Sequence, residues 1–386
     1  MGNFLEKPVT DKRNFHGEGN SLRYGVGSMQ GWRTEMEDAH FSKIGLGEGY
    51  ENWSFFGIFD GHGGSTVSHY CAENLLKCIM ATSEFSEGAI REAIIAGFQN
   101  LDSDLLKKPE FSSGEDKAGS TAICALINST NIYIANLGDS RGILSKTSAQ
   151  CFSTVDHKPI NPPERERILS AGGTVVLQRL NGSLAVSRAV GDYQYKGDSK
   201  RPPARQLVSI EPDVYVLERD EENDEFLVLA CDGIWDVMLN EDVCDYVRYL
   251  LSITSDLEYV VNHLIDTCLF KKSFDNMSVI LITLAKAPKP SLSIIKRDES
   301  VNRKVGNLVR GIIGNHCDVD FKVILNVLEE EDIQDLPPGA GLSAKMSLVQ
   351  QIYQELCPHE ADKNFYIYRW NSIWHSVKFN GTTSCV

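Results

Sequence analysis

Short apolar or alternating runs recur from about residue 22 to residue 286, with Gly, Asn and Asp between them. WSFFGIF (53–59), STAICALI (120–127), NIYIANL (131–137), EFLVLACD (225–232) and MSVILITLA (277–285) have the length and the bracketing of strands. Between some of them the period lengthens. Val67, Cys71, Leu75 and Ile79 recur every fourth residue, and EDVCDYVRYLL (241–251) and DLEYVVNHLIDTCL (256–269) carry similar stripes, so three helices are predicted. Strand-rich runs interrupted by a few helices, without strict βαβ alternation, predict an α+β fold of antiparallel sheets with helices packed outside.

The pattern breaks at APKPSLS (287–293), which contains Pro and Ser and has no apolar stripe, and a domain boundary is placed there. Beyond it three helices are predicted. The first has Val301, Val305, Leu308 and Ile312; the second has Val319, Val323 and Val327 behind Asp318 as cap; the third has Leu348, Ile352 and Leu356 behind Ser343. The expected organisation is a main domain over 1–290, a three-helix accessory domain over 294–358 and a flexible tail over 359–386.

Composition narrows the partners. A chain of 386 residues with 42% hydrophobic positions can bury a sizeable core. Its 38 basic against 53 acidic residues give a formal charge of −15, which repels nucleic acid and favours cations. The ten cysteines are scattered without a CxxC pair, so neither a zinc site nor a disulfide framework is expected. The N-terminus lacks an apolar signal core and the longest apolar runs are strand-length, so a cytoplasmic or nuclear protein is expected.

Three apolar runs end in, or are fed by, an aspartate beside Gly or Asn: Asp60 in FFGIFDGHGG, Asp232 in FLVLACDGIWD and Asp275 in FDNMSVILI. Any one of these is explained by a hairpin turn. Three together are explained better by cations, because converging carboxylates at the edge of a core need a counter-charge. Oxygen donors without Cys suit Mg²⁺ or Mn²⁺ rather than Zn²⁺.

The ordered set RTEMEDAH (33–40), DGHGG (60–64), GSTA (119–122), GDSRG (138–142), DHKP (156–159), NGSLAVSRAVGD (181–192), CDGIWDV (231–237) and DNMSVI (275–280) resembles the metal-dependent type 2C protein serine/threonine phosphatases. The C-terminal helices resemble the extra domain of the animal alpha and beta forms. The resemblance implies two antiparallel sheets packed face to face with helices outside, and a two-metal site at one end of the sandwich. It implies that Asp60 bridges both ions, that the Gly61 carbonyl binds one, that Asp232 and Asp275 complete the other, and that Glu37 and Asp38 act through waters. Asp139 and Asp236 match positions that some members use for a weaker third ion.

The implied reaction is hydrolysis of protein phosphoserine and phosphothreonine by a hydroxide bridging two Mg²⁺ or Mn²⁺ ions. Arg33 would hold phosphate oxygens through its planar fork, and His62 would protonate the leaving oxygen. The implied partners are phosphoproteins, among them kinases of stress and energy signalling, met by a monomer. The motifs of other phosphatases and of kinases are missing: no C-x₅-R, no GNHE, no H-R-D loop and no P-loop. The alternative is a binding protein on an inactive phosphatase fold, which predicts a lost aspartate, and all the matched ones are present. One departure stands beside the site, where Phe274 precedes Asp275 in place of a polar residue. At the chain ends, Met1-Gly2 begins like a myristoylation signal with Glu6 where Ser or Thr is preferred, so Gly2 is a candidate for lipidation and weak membrane contact. Ser384-Cys385-Val386 has the form of a PDZ ligand.

Overall fold

The computed structural model describes residues 4–148, 151–314 and 319–358. Two antiparallel sheets face each other. The first runs β1 (Phe4–Gly19), β2 (Leu22–Arg33), β16 (Met277–Thr283), β15 (Asp224–Ala230), β9 (Arg141–Lys146), β10 (Cys151–Ser153). The second runs β14 (Asp213–Glu218), β8 (Asn131–Leu137), β7 (Ala122–Ile127), β4 (Ser54–Phe59), β3 (Ala39–Ile44). Val26, Phe56, Ile58, Ile123, Ile134, Leu227, Leu229, Ile280 and Ile282 fill the space between them. At one end lies a small sheet of β13 (Val190–Gly191), β6 (Gly119–Ser120) and β5 (Gly61–His62), and β11 (Val175–Val176) with β12 (Arg179–Leu180) forms a hairpin.

Both outer faces are covered, which is why the central strands read as unbroken apolar runs and not as alternation. In β4, Phe56 and Ile58 point into the sandwich while Phe55 and Phe59 pack outward against α1 (Thr66–Met80) and α3 (Ile90–Leu106). Two short helices, α2 (Ser83–Ser86) and α4 (Pro109–Ser112), flank α3, and α5 (Pro162–Ser170) lies between the β9–β10 hairpin and β11. The first sheet carries α6 (Asp232–Trp235), α7 (Asn240–Leu251) and α8 (Leu257–Phe270). Asp256 caps α8 by accepting bonds from the Glu258 and Tyr259 backbone N–H groups. Gly25 and Gly27 let α8 lie close on β2: a Cβ at Gly25 would stand 2.7 Å from Leu257 Cβ, and one at Gly27 3.0 Å from both Ile265 and Val261.

The C-terminal helices α9 (Leu292–Gly314), α10 (Phe321–Glu330) and α11 (Met346–Leu356) share a core, with Val305, Val309, Phe321, Ile324, Leu328, Val349 and Tyr353, to which Phe270 at the end of α8 is added. They are tied to the two-sheet body by a buried polar knot. The Asp298 carboxylate accepts bonds from Lys345 Nζ at 2.5 Å, Tyr249 O–H at 2.6 Å and Asn302 Nδ2 at 2.9 Å.

Four sequence expectations shift. β1 is a sixteen-residue strand in a segment for which no element was predicted; it is a charged edge strand, whose polar side chains hide the pattern while its backbone pairs along β2. Helix α9 starts at Leu292, inside the stretch placed as linker. In α10 the cap is Asp320, which accepts from the Lys322 N–H, and the buried stripe is Phe321, Ile324, Leu325 and Leu328, with Val319 before the helix and Val323 exposed. Spacing of the valines every fourth residue follows one edge of that helix, while the larger side chains define its buried face. In α11 the stripe is Met346, Val349, Ile352 and Tyr353, Leu356 is exposed, and Ser343 lies in a preceding 3₁₀ turn. Asp318, Gly2, the 359–386 tail and the terminal tripeptide lie outside the described residues.

Candidate active site

The ends of both sheets open into a cleft of about 460 Å³ lined by Arg33, Glu37, Asp60, Gly61, His62, Asp139, Asp232, Asp236 and Asp275 among others. Asp60 follows β4, Asp232 opens α6 after β15, Asp275 leads into β16, and Asp38 leads into β3. Every residue expected at the site is therefore brought to one place, except that Asp38 lies behind the lining, buried. Six carboxylates face the cleft against three cations, Arg33, Lys158 and Arg179. That imbalance is the central electrostatic fact of the site.

Its effect appears in the carboxyl groups. Burial, then the neighbouring Asp232, Asp38, Asp139 and Asp275, raise the Asp60 carboxyl well above its usual range. Burial, then Asp139, Asp275 and Asp236, do the same to Asp232, and burial pushes Asp38 up to about 6 although Ser278 O–H donates to its Oδ2 at 2.7 Å. Asp38 Oδ1 is buried without a hydrogen-bond partner. Asp38, Asp60 and Cys231 each place a ligand atom within 4.8 Å of the others. The Cys231 thiol belongs to the backbone framework instead, accepting from the Ser278 N–H at 3.1 Å and facing the Asn276 carbonyl, and burial raises its pKa well above the thiol range. The remaining donors are hard oxygens, and a cluster of repelling carboxyls with an unpartnered buried oxygen fits divalent cations such as Mg²⁺ or Mn²⁺.

The loop chemistry explains the placement. Asn276 clamps the β2–β3 connection: its Oδ1 accepts from the Glu37 N–H at 2.9 Å, and its Nδ2 donates to the Gln30 and Glu35 carbonyls at 2.8 and 3.0 Å. Glu37 Oε1 accepts the Gly64 N–H at 2.6 Å. At Gly61 a Cβ would collide with the Glu37 carbonyl and come within 2.9 Å of Ser68 Oγ, so only glycine lets these strands close on the cleft.

The family profile for protein phosphatase 2C matches residues 22–277, and that for the protein serine/threonine phosphatase 2C C-terminal domain matches residues 278–354. The chain belongs to the protein phosphatase 2C family. Human protein phosphatase 1A is 48% identical over 371 residues, covering 94% of this chain and 97% of that protein. Mouse protein phosphatase 1B is 46% identical over 375 residues, covering 93% and 96%. Among solved structures, a phosphatase from Toxoplasma gondii superposes with a TM-score of 0.63 at 26% identity, covering 72% of this chain and 96% of that one. This phosphatase 2C is thus a protein serine/threonine phosphatase, in a family whose activity depends on metal.

Around the phosphatase 2C centre stand residues to which the motifs gave no role. His62 Nε2 lies 2.7 Å from Asp192 Oδ2, whose side chain is only 2% exposed. Burial lowers the His62 pKa, but Asp192, then Asp139 and Glu37, outweigh it and the net shift is upward. Asp192, the last residue of the 181–192 stretch quoted above, sits in the left-handed region at φ 53°, and a Cβ on Gly119 would strike both Asp192 and His62. Lys158 Nζ bonds Asp139 Oδ2 at 3.1 Å, and Arg141 grips Asp156 in a bidentate pair at 2.9 and 2.8 Å. Arg33 Nη2 lies 2.5 Å from Asp275 Oδ2, while its buried Nε has no partner. Phe274 turns away from the cleft and packs against Trp32 and Phe4, with ring centroids 6.0 and 5.9 Å apart.

Proposed function

We propose that this phosphatase hydrolyses phosphoserine and phosphothreonine proteins with two Mg²⁺ or Mn²⁺ ions held by Asp60, the Gly61 carbonyl, Asp232 and Asp275, with Glu37 and Asp38 reached through water. The observation that carries the reading is the convergence of these carboxylates on one cleft with Arg33 and His62 on its wall. When bound, the ions supply a water of lowered pKa and positive charge for the phosphoryl oxygens. The chain's own groups do the rest. Arg33 lines the cleft beside Asp275, to which its Nη2 is bonded, and its planar donor fork is suited to two phosphate oxygens. His62, whose pKa Asp192 raises against the effect of burial, is placed to give a proton to the departing serine or threonine oxygen, which leaves poorly as an alkoxide. Asp139 and Asp236 form a weaker third cation position, weaker because Lys158 already neutralises Asp139.

The proposal extends to cellular role. The protein works as a monomer in the cytoplasm and nucleus, opposing kinases of stress and energy signalling, with Gly2 acylation giving weak membrane contact and the terminal tripeptide offered to a PDZ domain. Intact-mass measurement of protein from eukaryotic cells tests the acylation, and an unmodified N-terminus ends it. The central reading is tested on a phosphothreonine peptide: chelation should abolish turnover, Mg²⁺ or Mn²⁺ should restore it, and Asp60→Asn should fold yet stay nearly inactive. Full turnover by chelated protein refutes it.

A further inference from the structure

We propose that Cys151 and Cys244 are a redox pair that closes to a disulfide on exposure to a peroxide. Their sulfurs lie 3.4 Å apart although the residues are 93 positions apart in sequence. Cys151 opens β10 at the edge of the first sheet and is part-exposed, while Cys244 lies in the second turn of α7 against it, nearly buried. Closing to a disulfide bond of about 2.05 Å needs the sulfurs to approach by ~1.4 Å.

The surroundings favour one thiolate. Cys151 and Cys244 share a hydrogen bond between their sulfurs, which lowers the Cys244 pKa against the opposing effect of burial, with further help from Ser145 and Arg248. The same bond, then burial, raises Cys151. Arg248 is fixed for this by Glu225 at 2.8 Å and by Ser145, to whose Oγ it donates at 2.9 Å. Elsewhere burial raises the thiols of Cys71, Cys78, Cys124, Cys231 and Cys268. Those groups are stable as thiols.

The chemistry balances. The Cys244 thiolate attacks one peroxide oxygen, the O–O bond breaks, and the departing hydroxide takes a proton to become water. Cys151 sulfur then displaces hydroxide from the sulfenic sulfur, the S–S bond forms, and the hydroxide leaves as water with the Cys151 proton. Two thiols lose two electrons and one peroxide becomes two waters. In a reducing compartment such a bond is transient and is reversed by thiol exchange. The loop it closes carries Asp156, Asp192, Asp232 and Asp236, so oxidation ties the segment bearing half of the site at both ends and restricts the unfolded chain.

The test uses the full chain, loaded with magnesium, reduced and then titrated with hydrogen peroxide. Digestion without reductant followed by mass spectrometry should find the Cys151–Cys244 peptide as the first linked species, and dithiothreitol should remove it. The melting temperature should rise on oxidation and return on reduction. Cys151→Ser should instead trap a dimedone adduct on Cys244, and Cys244→Ser should give neither product, with phosphatase turnover of both reduced variants unchanged. A first linked peptide joining other cysteines, no dimedone mass on Cys244 in Cys151→Ser, or an unchanged melting temperature in chain shown to be linked overturns the proposal.

Discussion

Asp192→Asn separates charge from position at the His62 proton donor. The substitution keeps an oxygen that can accept from His62 Nε2 at 2.7 Å, and Asn tolerates the left-handed backbone at φ 53°, so ring orientation and fold should survive. What is lost is the negative charge that favours imidazolium. A hydrogen bond to a charged partner contributes about 1.5–3 kcal/mol and a neutral one about 0.5–1.5 kcal/mol, so the exchange removes roughly 1–1.5 kcal/mol from the protonated donor. At 1.36 kcal/mol per tenfold, that lowers kcat on a phosphothreonine peptide by roughly 5- to 13-fold. Because the Asp192 side chain is only 2% exposed, little water replaces the lost charge and the upper end is expected. An activated aryl phosphate needs almost no protonation of its leaving group, so its kcat should hardly change. His62→Gln should show the same contrast more strongly, losing ~10²-fold or more on the peptide. Both substrates are assayed at saturating metal with chemistry rate-limiting. Equal losses on peptide and aryl ester, for either variant, would refute the proton-donor reasoning and leave His62 and Asp192 as supports for the metal ligands.

Two further predictions concern stability. In chelated protein the raised carboxyls bind more protons folded than unfolded, so their stabilisation is present below the unfolded range near pH 4 and is lost as pH rises through the folded values, about 6 for Asp38. Glu164 and Asp213, lowered to about 2 by their bonds to arginine and histidine, change nothing between pH 5 and 7.5. Calorimetry should therefore find the gap between magnesium-loaded and chelated protein widening from pH 5 to 7.5, by about 1.4 kcal/mol from Asp38 alone; a gap independent of pH counts against the carboxylate cluster as the binding site. A chain ending near residue 290 should fold and keep peptide hydrolysis, because the cluster of α9–α11 takes only the end of α8, at Phe270, from the body, but should melt lower once Phe270 loses that cover and Tyr249 loses Asp298. Insoluble or inactive protein would show that the helices belong to the catalytic body.

The aspartates were legible because each stands where an apolar strand stops, a contrast that needs no long-range information. The sandwich was legible for the same reason, since strands covered on both faces leave runs such as SFFGIF. What escaped depends on contacts between distant positions. Asp192 lies 130 residues from His62, and its buried bond gives no periodic signal. β1 is held by backbone pairing to β2 and so carries no apolar pattern. The register of α10 was misplaced because Val323 continues a spacing that Ile324 and Leu325 overrule by size and burial. Phe274 looked like a change of charge beside the site, yet it belongs to an aromatic stack facing the other way.

The two sheets reach the cleft from opposite sides: Asp60 and Asp38 come from the sheet of β3 and β4, Asp232 and Asp275 from the sheet of β15 and β16. The spacing between those pairs is set by how the sheets are aligned, through the layer of Phe56, Ile58, Leu229 and Ile280 between them. A slide of one sheet over the other by a single strand position, about 3.3 Å, would change the separation of the pairs by more than the tolerance of any small-ion site. The cleft therefore acts as a vernier on the sandwich. Substitutions at these four fully buried positions should be felt as lost metal affinity before they are felt as unfolding.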